Sequence, residues 1–227
     1  MQKANSTKQR EVMVERYIRA GYLVSEELIE AMRRVRRELF MPKPYVRYAY
    51  HDHPYPIPGN GRQTISAPHT YGLFYEALEL KRGDKLLEVG TGSGYGAALA
   101  KKVVGEEGKV VTIEINRETY EFGKENLRGA GYDDVLVVHS DGSKGYAEEA
   151  PYSKICVTAA CPQIPQPLKD QLNAPGKLIS PVGPPPALYA QDLILLEKDE
   201  EGRITSKPIS KVVYVPLTGE HGWKNPK

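Results

Sequence analysis

Apolar positions along the chain change their period twice. Between residues 7 and 20, Val12, Met13, Tyr17 and Ile18 recur at roughly helical spacing before Gly21, which predicts a first helix. Ser25 is placed to cap a second, with Glu26 and Glu27 in the turn where a helix dipole favours negative charge. Leu28, Ile29, Met32, Val35 and Leu39 give that helix an apolar face. Arg33, Arg34, Arg36 and Arg37 fall on its other face and are expected to be solvated. From Met41 to Gly61 five prolines forbid a long helix, and Asn60-Gly61 marks a tight turn. This tyrosine-rich stretch reads as a linker or an ordered lid, and its aromatics are candidates for gripping a substrate.

After residue 80 the pattern becomes regular. Apolar strands are expected at Lys85–Val89, Lys109–Ile115, Val135–Val138, Ile155–Ala159 and Lys177–Val182. Helices are expected between them at Tyr95–Val104, Arg117–Leu127 and Gln166–Leu172. Short apolar strands alternating with helices predict βαβ units and a parallel sheet covered on both faces. Asp192–Glu197 and Ser210–Leu217 read as a closing antiparallel pair. The expected fold class is α/β, a doubly wound, mostly parallel Rossmann-like sheet with an antiparallel C-terminal strand. Residues 1–60 would form a helical annex and lid, and 61–227 the catalytic domain, in one compact unit.

Composition narrows the function classes. The chain has 227 residues, 40% hydrophobic and 26% charged, with a net charge of +2 and a pI near 8.3. That balance is not that of a dedicated nucleic-acid binder, whose pI usually exceeds ~9. Cys156 and Cys161 are too few for a disulfide framework or a structural zinc site and fit a reducing cytoplasm. No apolar run reaches the ~18 residues of a membrane span. His51, His53 and His69 lie close together in sequence but lack acidic or thiol partners at metalloenzyme spacing, so no metal is expected. A monomer is the expected state, with no membrane or nucleic-acid partner.

The sharpest local signal is LLEVGTGSGYG, Leu86 to Gly96, where a strand ends in glycines that open a helix. Glycines permit close approach of a ligand to the backbone, and the helix N-terminus offers free N–H groups. A dinucleotide fingerprint would need a third glycine where Tyr95 stands. The pattern is instead acidic-x-G-x-G-x-G, carried by Glu88, Gly90, Gly92 and Gly94. An acid before the turn repels a pyrophosphate and suits a cationic or hydroxyl-bearing ligand. Glu114 follows Glu88 by 26 residues and Asp141 follows Glu114 by 27, one βα unit each. Three neighbouring strands would thus each present a carboxylate at one sheet edge, Glu114 to ribose hydroxyls and Asp141 to an adenine amine. S-adenosyl-L-methionine satisfies the set. With Thr91, Ile115 and Gly142 beside them, these residues make up most of the candidate cofactor set.

The segments QTISAPH (63–69), LEVGTGSGY (87–95), DGSKGYAEEAPY (141–152), LISPVG (178–183) and VYVPLTGEHGW (213–223) resemble the protein-L-isoaspartate O-methyltransferases. The resemblance spans roughly residues 40–223. It departs from the usual pattern at Arg62, where glycine is common, and at Thr70, where methionine is common. It implies that Ser66 is the catalytic serine, orienting a substrate carboxylate. Read as sequence alone, Ser66 before Ala67-Pro68 is also a good helix cap. The resemblance further implies that Ala67, His69 and Thr70 touch the methionine part of the cofactor and that Thr218 closes the site. The implied reaction methylates the free carboxylate of isoaspartyl residues in peptides and proteins, leaving S-adenosyl-L-homocysteine. The ester then collapses to a succinimide, which begins repair. A methyltransferase acting on RNA or a small molecule is the alternative. Against a nucleobase acceptor, the fourth strand ends Thr158-Ala159-Ala160-Cys161-Pro162, with no ring to stack on a base.

Overall fold

In β3 (Lys85–Val89) successive side chains serve different cores. Leu86 joins an apolar cluster on one face of the sheet, while Leu87 and Val89 join a cluster on the other. This is the signature of a strand buried on both sides. The computed structural model describes residues 2–184 and 190–224, with side chains from residue 6 onward. The last three residues of the 61–227 unit, and 185–189 within it, lie outside the described residues.

Parallel to β3 run β4 (Lys109–Glu114), β5 (Leu136–His139) and β6 (Tyr152–Val157), with β7 (Leu172–Val182) beyond. The antiparallel strands β8 (Gln191–Lys198) and β9 (Ile204–Val212) complete a seven-stranded sheet ordered β5-β4-β3-β6-β7-β8-β9. Helix α4 (Tyr95–Val104) connects β3 to β4, α5 (Arg117–Gly129) connects β4 to β5, and the short α6 (Gln166–Asp170) precedes β7. Small residues make α4 fit closely: Ala97, Ala98 and Ala100 are fully buried. The sheet is doubly wound, as expected. Its last strand lies earlier than the expected 210–217. ITSKPISKV is largely exposed and holds a proline, so an edge strand here carries no apolar alternation to reveal it.

The annex begins with α1 (Gln2–Arg19) and α2 (Glu26–Arg34). A two-residue ribbon, β1 (Tyr55–Pro56) with β2 (Thr64–Ile65), follows and leads into α3 (Pro68–Leu78). Met13, Val14, Tyr17, Leu28 and Met32 share one apolar cluster with Leu99 and Val103 of α4. Three local expectations need correction. Ser25 does not cap α2 with its side chain; Glu76 of α3 accepts from Val24 N, Ser25 N and the Ser25 hydroxyl. Helix α2 stops at Val35 instead of running to Leu39. On a continuous helix at 100° per residue, Arg37 would stand about 140° away from Met32. The break turns Arg37 and Phe40 inward, both with 0% exposure. The basic face is therefore not one face: Arg33 pairs with Glu11 and Glu15, Arg34 with Glu30 and Arg36 with Glu38 near the surface, while Arg37 is core. Among the described residues, no helix is long and apolar enough to cross a membrane.

Candidate active site

The chain leaves β3 toward β4 on one side and reaches β6 on the other, so the sheet has its switch point between β3 and β6. Ligands of open α/β sheets bind at such a point, beyond the carboxyl ends of the strands. A cavity of about 1210 Å³ lies there. It is bounded by the ends of β3 and β4, the turn from β2 into α3, and the chain that follows β9.

The three acids at the strand ends meet different surroundings. Glu88 is 2% exposed and accepts hydrogen bonds from the Thr112 hydroxyl at 2.7 Å and the Tyr75 phenol at 3.4 Å. Thr112 accepts in turn from Thr91. Burial pushes the Glu88 carboxyl up to about 8, against its two hydroxyl donors and with a further push from Glu114. Glu114 is bound by backbone: Oε2 accepts from Gly92 N at 3.2 Å and Oε1 from Asn116 N at 3.0 Å. Burial raises its pKa while those N–H groups lower it. A carboxylate offers about four acceptor sites, so Glu114 keeps lone pairs for a ligand's hydroxyls.

Asp141 does not line the cavity. Its Oδ1 accepts from the Ser143 N–H and hydroxyl at 2.9 and 2.7 Å, and its Oδ2 from Glu220 N at 2.8 Å. These bonds outweigh burial and hold its pKa down. The Ser143 hydroxyl accepts from His221 N, so this corner latches residues 220–221 to the end of β5. Gly142 lines the cavity beside the latch.

The glycine loop holds the backbone open. Gly90, Gly92 and Gly94 have φ of 101°, 54° and 85°, in the left-handed region. A Cβ at Gly96 would collide with Glu88 Oε1, so α4 can lie over the acid only without a side chain there. Gly90, Thr91 and Gly92 line the cavity, while Gly94 caps α4 behind it. A cradle of bare backbone, buried acids and free acceptor sites fits an adenosyl sulfonium with its hydroxyls and ammonium.

The chain leaving β2 leads directly into Ser66, which lines the cavity. The helix-cap position is taken by Ala67, with Pro68 at the first helical position, so Ser66 does not cap α3. Ala67, His69, Thr70, Ile115 and Thr218 also line the cavity. The His69 ring is held by Asp52 at 2.7 Å, and Asp52 accepts from the Tyr17 phenol. The tyrosines of residues 41–61, the candidates for gripping a substrate, do not line the cavity. Tyr48 stacks on Tyr55 at 5.7 Å and Tyr45 packs against Tyr55, while only Pro54 and Asn60 of residues 41–61 line the cavity. Tyr71, Tyr75 and Tyr214 line it without having been singled out in the sequence. The four-residue spacing of Tyr71 and Tyr75, on the helix just after Ser66, was the available signal.

Comparisons with known proteins agree with this geometry. A family model described as protein-L-isoaspartate(D-aspartate) O-methyltransferase matches residues 8–222. The protein-L-isoaspartate O-methyltransferase of Methanothermobacter thermautotrophicus is 46% identical over 95% of this chain and 98% of its own. Protein-L-isoaspartate O-methyltransferase 2 of Archaeoglobus fulgidus is 49% identical over 95% of each. Among solved structures, a protein-L-isoaspartate O-methyltransferase superposes with a TM-score of 0.84 at 30% identity, covering 94% of this chain and 67% of that one. A Plasmodium falciparum structure described as a protein-L-isoaspartate O-methyltransferase in complex with S-adenosyl-L-homocysteine gives a TM-score of 0.79 at 25% identity, covering 92% and 98%.

Proposed function

The chain belongs to the protein-L-isoaspartate(D-aspartate) O-methyltransferase family, and we propose that within it Ser66 orients the acceptor carboxylate while Glu88, Glu114 and the glycine loop hold the donor. The reaction transfers a methyl group from S-adenosyl-L-methionine to the free carboxylate of L-isoaspartyl residues in damaged peptides and proteins. The observation that carries the assignment is that Ser66, Glu88 and Glu114 line one cavity.

S-adenosyl-L-methionine, when bound, supplies a methyl group on a positively charged sulfur. The acceptor is an aspartyl-type carboxylate with a reference pKa of ~4, already ionised near neutrality, so the chain needs no general base. Its task is to hold one carboxylate oxygen in line and away from water, an effect able to supply ~7–11 kcal/mol. Ser66 contributes a hydroxyl donor to that oxygen's partner, Glu114 accepts from ribose hydroxyls, and Glu88 lies on the cationic side. Gly90, Thr91 and Gly92 let the donor approach the backbone, and Ala67, His69 and Thr70 border its amino-acid part. Ile115 and Gly142 flank the adenine. Asp141 retains one acceptor site for the adenine amine while its other bonds anchor the closing segment that carries Thr218. The enzyme acts as a monomer, with residues 1–60 as annex and 61–227 as catalytic unit; sedimentation at a mass near 25 kDa is the expected readout.

The test uses two peptides that differ only in isoaspartyl against aspartyl linkage, with methyl-labelled donor. Label entering only the isoaspartyl peptide is expected. Equal labelling of both, or labelling of RNA in their place, would overturn the assignment.

A further inference from the structure

Among the described residues, the largest fully buried side chain is a cation without a counter-ion. Arg37 has no solvent exposure. Its Nε donates to the Ala49 carbonyl at 2.8 Å, but neither Nη1 nor Nη2 completes a hydrogen bond. The guanidinium lies over the Tyr95 ring at 5.2 Å. The Tyr71 ring meets the same Tyr95 ring edge-on, 5.1 Å away at 89°. Tyr71 lines the cavity with Ser66. Burial pushes its phenol up to about 12, and the Arg37 guanidinium and the Ser66 hydroxyl both pull against that rise, while Glu88 adds to it. Tyr71 thus feels both the Arg37 charge and the Ser66 hydroxyl, and shares the Tyr95 ring with that guanidinium.

A buried, unpaired guanidinium is costly, and proteins usually pair or hydrogen-bond such a group. Tyr95 compensates Arg37 in part through its ring face, leaving two N–H-bearing nitrogens unused. By the proposed function the site takes an anion, the acceptor carboxylate, at Ser66, which lines the cavity with Tyr71. Deepening the assignment of Ser66 on which it rests, we propose that Arg37 and Tyr71 form a positioning pair. The guanidinium fixes the Tyr71 phenol, the phenol fixes the Ser66 hydroxyl, and the unpaired charge draws the acceptor carboxylate toward that serine.

The test compares Tyr71→Phe and Arg37→Lys with the parent enzyme, by steady-state kinetics on an isoaspartyl peptide and by calorimetry with S-adenosyl-L-homocysteine. Tyr71→Phe should lose a few-fold to roughly tenfold in kcat/KM, the scale of one neutral hydrogen bond, with product affinity unchanged. A buried lysine titrates at depressed pH whereas arginine keeps its charge. Arg37→Lys should therefore show kcat/KM falling on the alkaline side through a limb that the parent lacks. A purely structural Arg37 would lower thermal stability and leave the two pH profiles parallel. Parallel profiles, or Tyr71→Phe matching the parent, would overturn the inference. Should Arg37→Lys fail to fold, Tyr71→Phe decides alone. A fully active Ser66→Ala enzyme would instead remove the serine assignment itself. A slow Ser66→Ala beside a normal Tyr71→Phe would remove only the positioning pair.

Discussion

Glu114 and Ser66 line the same cavity, and the parts of it that they belong to are made in different ways. Glu114 sits at the end of a central strand, its carboxylate fixed by two backbone N–H groups of adjacent loops. Ser66 sits at the end of a two-residue ribbon, with tyrosines from α3 and from the chain after β9 around it. The donor wall is built from backbone and carboxylates of consecutive βα units; the acceptor wall is built from side chains brought together from distant parts of the chain. Damage to the first should show in donor affinity, and damage to the second in turnover.

The largest effect is expected from Ser66→Ala. Removing one donor to the reacting group of an enzyme costs ~10²–10³ in turnover, and kcat should fall on that scale while donor KM stays near the parent value. A fall in donor affinity of similar size would break the separation of the walls. Next, Glu114→Ala should weaken donor binding ~10–100-fold, since hydrogen bonds to a charged group are worth ~1.5–3 kcal/mol each. Its kcat at saturating donor should be largely kept.

Glu88 sharpens the comparison through pH. Its pKa rises on folding from an ordinary carboxyl value to about 8. The unfolded chain therefore releases this proton first, and the empty protein loses stability as pH rises from about 4.5 to about 8. Glu88→Gln should flatten that part of the curve, so that its Tm advantage over the parent grows across this window in thermal melts. The smallest effect is expected from Tyr48→Ala. It removes one stacked pair, a loss of ~0.5–1.5 kcal/mol beyond burial, and should lower Tm slightly with peptide KM unchanged.

The same contrast decides what the sequence could reveal. Glu88, Glu114 and Asp141 recur at the length of one βα unit, so the repeating architecture assigned them to one edge from spacing alone. It did not reveal that Asp141 also anchors a latch, because the partner, Glu220, lies 79 residues away. The annex repeats nothing. A break in α2 turned Arg37 from the face where helical spacing puts it, and Tyr45, Tyr48 and Tyr55 pack on one another instead of lining the cavity. Ser66 was legible through its family-like neighbours, and the structure moved the competing cap role to Ala67. The edge strand β9 is the least legible element, because its solvent-facing residues leave no period to follow.

One calorimetric series tests the division of the cavity most directly: S-adenosyl-L-homocysteine titrated into the parent, Ser66→Ala and Glu114→Ala proteins. The parent and Ser66→Ala should bind with equal affinity and Glu114→Ala much more weakly. Weak binding by Ser66→Ala, or undiminished binding by Glu114→Ala, would contradict it.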